Sequence, residues 1–516
     1  MPFSEQTTQW SLIITAVFIG MTNSVLLSAE IAFSTYLGGS EWEHARDVCV
    51  DDSGNVYVVG GTRSSDFPTT ANALQTKHDK SGDKVGSGGY CDVFVSKFDA
   101  SGELIWSTLL GGPNYDRAYA VEVDRAGYVY VAGRAGPGFP VTKDAFQPEF
   151  QGADEGIYGM QNGFVAKINP DGTAVVWASY VGVGRLCRDI AIDEDGDVYL
   201  PTSYQGTGPL PPKSWFEGAF QPTPGGDADC GALKVTSDGR RVVWATWIGG
   251  SRLEVPNAGI RLDSQNNVYL NLTTESDDML TTRGAHDRSH NGDKDAYIAK
   301  LSPDGKHLLY ATYFGTSGND FGNSTHSMAV DPNGNAYLVI SSDNDDMPVT
   351  EGVLQPHLKG ERNLVVTKLS PTGALLHCTY LGGSGIDGID GVYANDRGEV
   401  YFTGTTSSND FPTTNDALQR LKSDDNDVIV VALKSDFSRL KFASFLGGKS
   451  YDYGRSCFLD KNGSFYLVGS TNGEEWPVVR AVQEKFAGGG GGKELCYQGG
   501  CYAGDVIVTK ITFEAR

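Results

Sequence analysis

The feature that most constrains this 516-residue chain is a short hairpin written seven times. In its first copy, Val50-Asp-Asp-Ser-Gly-Asn-Val-Tyr-Val-Val-Gly-Gly-Thr62, an apolar strand ends at Asp51 and a Gly supplies the positive φ of a tight turn. Val56, Tyr57, Val58 and Val59 then start the return strand. The turn acid reads as Asp51, Asp124, Asp193, Asp263, Asp331, Asp396 and Asp460. The return-strand tyrosine reads as Tyr57, Tyr130, Tyr199, Tyr269, Tyr337, Tyr401 and Tyr466. Asn266 replaces the turn glycine in the fourth copy, which fits, because Asn is the side chain that best tolerates the left-handed region.

A second hairpin alternates with the first. It begins Asp92-Val-Phe-Val-Ser-Lys97, and its lysine reads as Lys97, Lys167, Lys234, Lys300, Lys368, Lys434 and Lys510. Its second strand opens on Trp106, Trp177, Trp244, Tyr310, His377 or Phe442 and ends in glycine. The period is about 68 residues, and two hairpins per period make four strands, one propeller blade. Strands such as Val428-Ile-Val-Val431 are apolar on both faces, as strands inside stacked sheets must be. Phe33-Ser-Thr-Tyr-Leu-Gly-Gly39 is a fourth strand with nothing before it, and Asp505-Val-Ile-Val-Thr-Lys-Ile-Thr512 is a third strand without a partner. The expected fold is all-β: a seven-bladed β-propeller, four antiparallel strands per blade, closed by pairing of the N-terminal strand with the C-terminal ones. Sixty-six glycines, about 13% against a usual 7% or so, suit that many turns.

The pattern Ser-Thr-Tyr-Leu-Gly-Gly, Val-Asp-x-x-Gly-Asn-x-Tyr-Val-x-Gly-x-Thr, Asp-Phe-Pro-Thr-Thr and Asp-x-Phe-Val-x-Lys resembles the SBBP-type repeat of bacterial exported proteins, and the first hairpin is also similar to the NHL repeat. The resemblance spans about residues 31 to 512 and implies a propeller in a bacterial envelope or extracellular setting, without implying an activity or catalytic residues. The Asp-Phe-Pro element stands at Asp66-Phe-Pro68 and Asp410-Phe-Pro412, weakly at Asp346-Met-Pro348, and is absent from the third and fourth copies.

Leu12 to Met21 is an apolar core of about ten residues, too short to span a bilayer, so residues 1–29 read as a signal peptide and 30–516 as the propeller; a retained anchor helix is the alternative. No basic residue precedes that core. The expected location is periplasmic, cell-surface or extracellular. A net charge of -23 argues against a nucleic-acid partner and leaves cations, basic proteins or neutral glycans. Among eight cysteines, Cys496 and Cys501 are the best disulfide pair, Cys91 with either being the alternative, and Cys378 reads as a small buried thiol.

In an up-down blade the long, variable links share one rim with the links that enter each first strand, and loops on a rigid scaffold carry function. Those entering links carry Glu43, Asp116, Glu254, Asp320, Asp387 and Asp452. Two roles fit them: an acidic collar holding Ca²⁺, or caps on backbone N–H groups where each link meets its strand. Gln75, Gln147, Gln221, Gln355, Gln419 and Gln483 read as repeated hydrogen-bonding locks, and the repeated lysines as partners of the turn acids. His286 and His290 have metal-ligand spacing but no third ligand. No nucleophile, zinc, phosphate-loop or dinucleotide motif is present. The expected function is non-enzymatic binding of a protein or glycan by a monomer, Ca²⁺ being the sole cofactor candidate; the alternative is a carbohydrate-active hydrolase or lyase using rim carboxylates.

Overall fold

The computed structural model describes residues 27–515, apart from 207–209, 319, 322–325, 489–495, 498–499 and 502–503. The expected signal segment lies outside the described residues except for its last three, which already belong to a strand. Seven four-stranded antiparallel sheets surround an axis. In each, strand a is innermost and strand d outermost. Blade 1 is Glu43–Val50, Val56–Thr62, Asp92–Phe98 and Leu104–Leu110 in the order a to d. Blade 2 repeats this with Arg117–Val123, Val129–Ala135, Met160–Ile168 and Val175–Val181. Strand a shrinks to Ala191–Ile192 in blade 3, and to Asp320–Phe321 plus Met328–Val330 in blade 5.

Blade 7 closes the ring. Its a, b and c strands, Asp452–Leu459, Phe465–Thr471 and Asp505–Ala515, come from the end of the chain, and its d strand, Leu27–Leu37, comes from the beginning. Tyr36 pairs with Ile507 and Leu37 with Val506. The b strands are buried on both faces, all seven residues of Val56–Thr62 among them, because each sheet is covered by its two neighbours. Tryptophans of strand d tie blade to blade: Trp106, Trp177 and Trp244 donate Nε1–H to the carbonyls of Pro170, Ser237 and Pro303, each 3.0 Å away in the next blade.

The turn acids cap their own turns. Asp51 Oδ1 accepts the N–H groups of Ser53 and Asn55 at 2.9 Å, and Oδ2 accepts the Tyr57 hydroxyl at 3.1 Å. Gly54 has φ +82° and Asn266 φ 59°, the left-handed turn position that the repeat requires. Each lysine of strand c lies over the repeated tyrosine, 4.7 to 5.2 Å from the ring centroid in six blades. Three lysines also pair with the turn acid: Lys167 with Asp124 at 3.7 Å, Lys234 with Asp193 at 3.0 Å and Lys300 with Asp263 at 3.0 Å.

Blade 6 corrects the sequence register. The turn residue there is Asn395, whose Oδ1 accepts the N–H groups of Arg397 and Glu399, and Asp396 is its neighbour. Ala432 faces Tyr401, where the other blades have lysine, so Lys434 lies past the repeat position. The lost acid and lysine are replaced together: Glu399 accepts the Tyr401 hydroxyl at 3.3 Å and pairs with Lys441 at 2.6 Å. In blade 4 the Asp-Phe-Pro element keeps its acid, since Asp278 Oδ1 accepts Ser251 N–H at 2.8 Å as Asp66 accepts Ser40 N–H at 2.9 Å.

Lys300 and Asp263 form the most buried of these pairs. Lys300→Met leaves the Asp263 charge without its cation and is expected to cost about 3 kcal/mol in urea denaturation, the usual effect of removing one partner of a buried pair. A cost under about 0.5 kcal/mol would mean that the pair is solvent-screened.

Candidate functional site

The long links gather on one face as expected, and there the sequence candidates divide. The six collar carboxylates are fully buried, one to a junction. Each accepts a backbone N–H four residues earlier: Glu43 from Gly39 at 3.0 Å, Asp116 from Gly112 at 2.6 Å, Glu254 from Gly250 at 3.0 Å, Asp387 from Gly383 at 2.9 Å and Asp452 from Gly448 at 2.7 Å, with Asp320 doing the same to Thr316. This is the capping role, and it occupies one oxygen atom of each carboxylate. Among the described residues no three His, Cys, Asp or Glu side chains converge to hold a metal. His290 Nε2 contacts the Thr274 carbonyl at 3.3 Å, and His286 packs on Phe314.

The glutamines are locks. Gln483 Oε1 accepts Gly38 N–H at 3.0 Å while its Nε2 donates to Asp505 at 2.8 Å, and Gln75 spans Gly111 and Asp92 in the same way. Cys91 and Cys378 are buried free thiols. Cys496 and Cys501 are backbone register partners in the short strand pair Cys496–Tyr497 and Gly500–Cys501.

The residues that do converge are ones the repeats do not share. Strand a carries a β-bulge between Ala45 and Asp47, Ala118 and Ala120, Ile389 and Gly391, and Gly454 and Ser456. A bulge re-aims the extra side chain, here Arg46, Tyr119, Asp390 and Arg455. Four guanidinium groups surround the Tyr119 ring: Arg46 at 4.5 Å, Arg117 at 4.9 Å, Arg188 at 5.3 Å and Arg134 at 5.4 Å from its centroid. Arg117 donates Nη2–H to the Tyr119 hydroxyl, and its Nη1 lies 3.2 Å from His44 Nδ1. On the loop side the half-buried Tyr158, in the turn Gly156–Tyr158, receives Arg134 at 4.4 Å and Arg117 at 5.3 Å. Arg185 and Arg455 have carboxylate partners, Glu155 at 3.2 Å and Asp390 at 3.5 Å. Neither Arg46 nor Arg134 has one among the described residues, and Nε and Nη1 of the 3%-exposed Arg134 are buried without a hydrogen-bond partner.

The electrostatics follow from this crowding. Burial would raise the Tyr119 phenol, but Arg117, Arg134, Arg46 and Arg188 override it and hold the group well below the ordinary tyrosine value. Burial and the neighbouring arginines push Arg46 down to about 9. His44 is driven far below the usual histidine value by burial and by Arg46, Arg455 and Arg117, so it is neutral.

Beneath the cluster a polar knot crosses the axis. His326 of blade 5 contacts the Tyr119 carbonyl of blade 2 at 3.1 Å, and its ring lies 3.7 Å from Asp47 and 3.8 Å from Asp189. Asp47 Oδ2 accepts Val121 N–H and Asp189 Oδ2 accepts Ile260 N–H, each at 2.8 Å, and Arg261 pairs with Asp189. Burial lowers His326 to about 4. On the far side of the knot a cavity of about 1080 Å³ opens on the turn face, lined by eleven acidic residues and four basic ones. Sequence reasoning placed no cavity on that face.

The family model described as the SBBP beta-propeller repeat matches residues 105–139. No curated protein matches the chain. Solved structures that resemble it include an ulvan lyase from a new polysaccharide lyase family, with 9% identity, 84% of this chain and 93% of that chain covered and a TM-score of 0.45. BamB from Moraxella catarrhalis has 10% identity, 93% and 99% coverage and a TM-score of 0.37. A catalytically inactive virginiamycin B lyase from Staphylococcus aureus has 9% identity, 94% and 99% coverage and a TM-score of 0.38. Such distant neighbours, diverse in function, transfer no activity. The chain is a seven-bladed β-propeller that carries the SBBP repeat.

Proposed function

We propose that this chain is an exported binding scaffold that takes an acidic glycan against the arginine cluster at the loop end of its axis. One observation carries the reading: four guanidinium groups crowd one tyrosine, and Arg46 and Arg134 lack a carboxylate partner, in a protein whose net charge is -23. Crowded like charges away from water are costly, and an anion entering the site offsets the cost. Carboxylate and sulfate groups match the planar donor fork of arginine. The half-buried Tyr158 is the aromatic ring of the cluster that a sugar can reach.

Calorimetric titration with oligogalacturonate and with a neutral oligosaccharide of equal length tests the reading. Binding is expected for the acidic ligand alone and weakens with added salt, through screening of the charges. Equal affinity for both ligands rejects it. A second reading rests on the Tyr119 hydroxyl, which four guanidinium groups crowd and hold well below the ordinary tyrosine value: a phenol so placed is suited to proton exchange beside a neutralised carboxylate, the chemistry of a lyase. An unsaturated uronate accumulating during the same titration marks that reading.

A further inference from the structure

At most junctions the residue that opens one strand c meets the residue at the entry to the next strand a. Five junctions place two carboxylates there: Asp505 with Glu43, Asp92 with Asp116, Asp229 with Glu254, Asp295 with Asp320, and Asp427 with Asp452. All ten residues are 0% exposed. They pack around the glycine that ends strand d. A Cβ built on Gly38 would lie 2.6 Å from both Asp505 Oδ1 and Glu43 Oε2, and one on Gly315 would lie 2.5 Å from Asp295 Oδ1 and 3.0 Å from Asp320 Oδ2. Oδ1 of Asp295, Asp320, Asp427, Asp452 and Asp505 is buried with no hydrogen-bond partner. Among the described residues the one basic side chain within ion-pair distance of any of the ten is His78, whose Nδ1 is 3.3 Å from Asp92 Oδ1.

These carboxylates accept neutral N–H and O–H donors, but two of them side by side in a dry junction with no cation between them do not both keep a charge. The remaining junctions show what the position needs. Between blades 5 and 6 the strand c residue is Asn363, and its Nδ2 donates to Asp387 Oδ2 at 3.1 Å. Between blades 2 and 3 the residue is Asn162, whose amide is spent on the carbonyls of Val181, Gly182 and Gly184. At Asn363 a fixed N–H occupies the place where an acid pair requires a hydrogen.

We infer that each of the four carboxylate pairs without a basic neighbour is closed by one shared proton, the fifth, Asp92–Asp116, having His78 beside it, which makes these blade junctions a set of proton-linked locks that loosen as pH rises. The inference is independent of the ligand site. Its direction agrees with burial, which raises Glu43 to about 8 and Glu254, Asp452 and Asp505 to about 7. The folded chain therefore holds protons that the unfolded chain has released above about pH 4, so stability falls as pH rises from there through about 8. Facing the Glu43–Asp505 pair are the hydroxyls of Thr62 and Ser64, the N–H groups of Gly39 and Ala487, the Gln483 amide and the Tyr36 phenol. None of these titrates in that window, Tyr36 being raised to about 12 by burial.

Urea unfolding of the full chain at several pH values between about 5 and 8 tests this with Asp505→Asn and Asn363→Asp. Asp505→Asn is expected to remove about one proton from the pH slope of stability and to raise the midpoint at pH ~8 while leaving it unchanged near pH 5. Asn363→Asp builds a sixth pair and is expected to add about one proton and lower the pH ~8 midpoint; it carries the test alone if Asp505→Asn does not fold. Slopes that do not move overturn the inference. So does a Ca²⁺-dependent rise in the pH ~8 midpoint that Asp505→Asn abolishes, because a cation would then close the pair.

Discussion

Deletion of residues 27–37 is expected to abolish cooperative unfolding and leave a chain that aggregates. This strand is the whole outer edge of blade 7, and its Phe33, Tyr36 and Leu37 are at most 2% exposed. Losing each such side chain costs about 3 to 5 kcal/mol. Three together, roughly 10 kcal/mol, match the entire stability of an ordinary domain. Polar links go too: the Tyr36 hydroxyl accepts Trp476 N–H at 2.9 Å, and Trp476 Nε1 donates to Ser34 Oγ at 2.9 Å. What remains is the bare edge of Asp505–Ala515, a template for pairing with another chain. Circular dichroism and light scattering would report the outcome, and a synthetic peptide of residues 27–39 added in trans is expected to restore the transition by filling that edge. A truncated chain that unfolds cooperatively at the original midpoint would sink the idea that this strand holds the ring shut.

Arg134→Met is expected to make the protein more stable and less able to bind. The side chain is buried beside three other guanidinium groups around Tyr119, with Nε and Nη1 unpartnered. Replacing an unpaired buried charge by an apolar side chain of similar length removes like-charge repulsion and desolvation cost, a gain of about 1 to 3 kcal/mol. The acidic ligand loses a charge-assisted partner, so its affinity is expected to fall about 100-fold, since each factor of ten is about 1.4 kcal/mol and such bonds contribute about 1.5 to 3. Thermal denaturation and calorimetry on one preparation read both signs. Stability and affinity falling together would make Arg134 a structural residue.

The scaffold was legible because its constraints are local. A turn at Asp51 fixes Gly54 three positions on and Tyr57 six positions on, and that spacing survives in the sequence of every blade but the sixth. There Asp396 directly follows the true turn residue Asn395, so matching by residue type slips by one. The compensating Glu399–Lys441 pair joins positions the other blades leave unremarkable, and only the sheet register reveals it. The arginine cluster was illegible for the opposite reason. Arg46, Arg117 and Arg188 each lie about one repeat apart, on different blades, and meet only because the ring closes. A signal was available: three residues after the collar acids Glu43, Asp116, Asp387 and Asp452 stand Arg46, Tyr119, Asp390 and Arg455, polar and different in each copy.

The knot at His326 separates two electrical environments along one line: the guanidinium groups around Tyr119 on the loop side, and a funnel of eleven acidic against four basic residues on the turn side. The axis is thus basic above the knot and acidic below it, within a molecule whose net charge is -23. An anion that approaches along the axis from the turn side meets carboxylates, and one that approaches from the loop side meets guanidinium groups. The two mouths of one ring therefore select for ions of opposite sign.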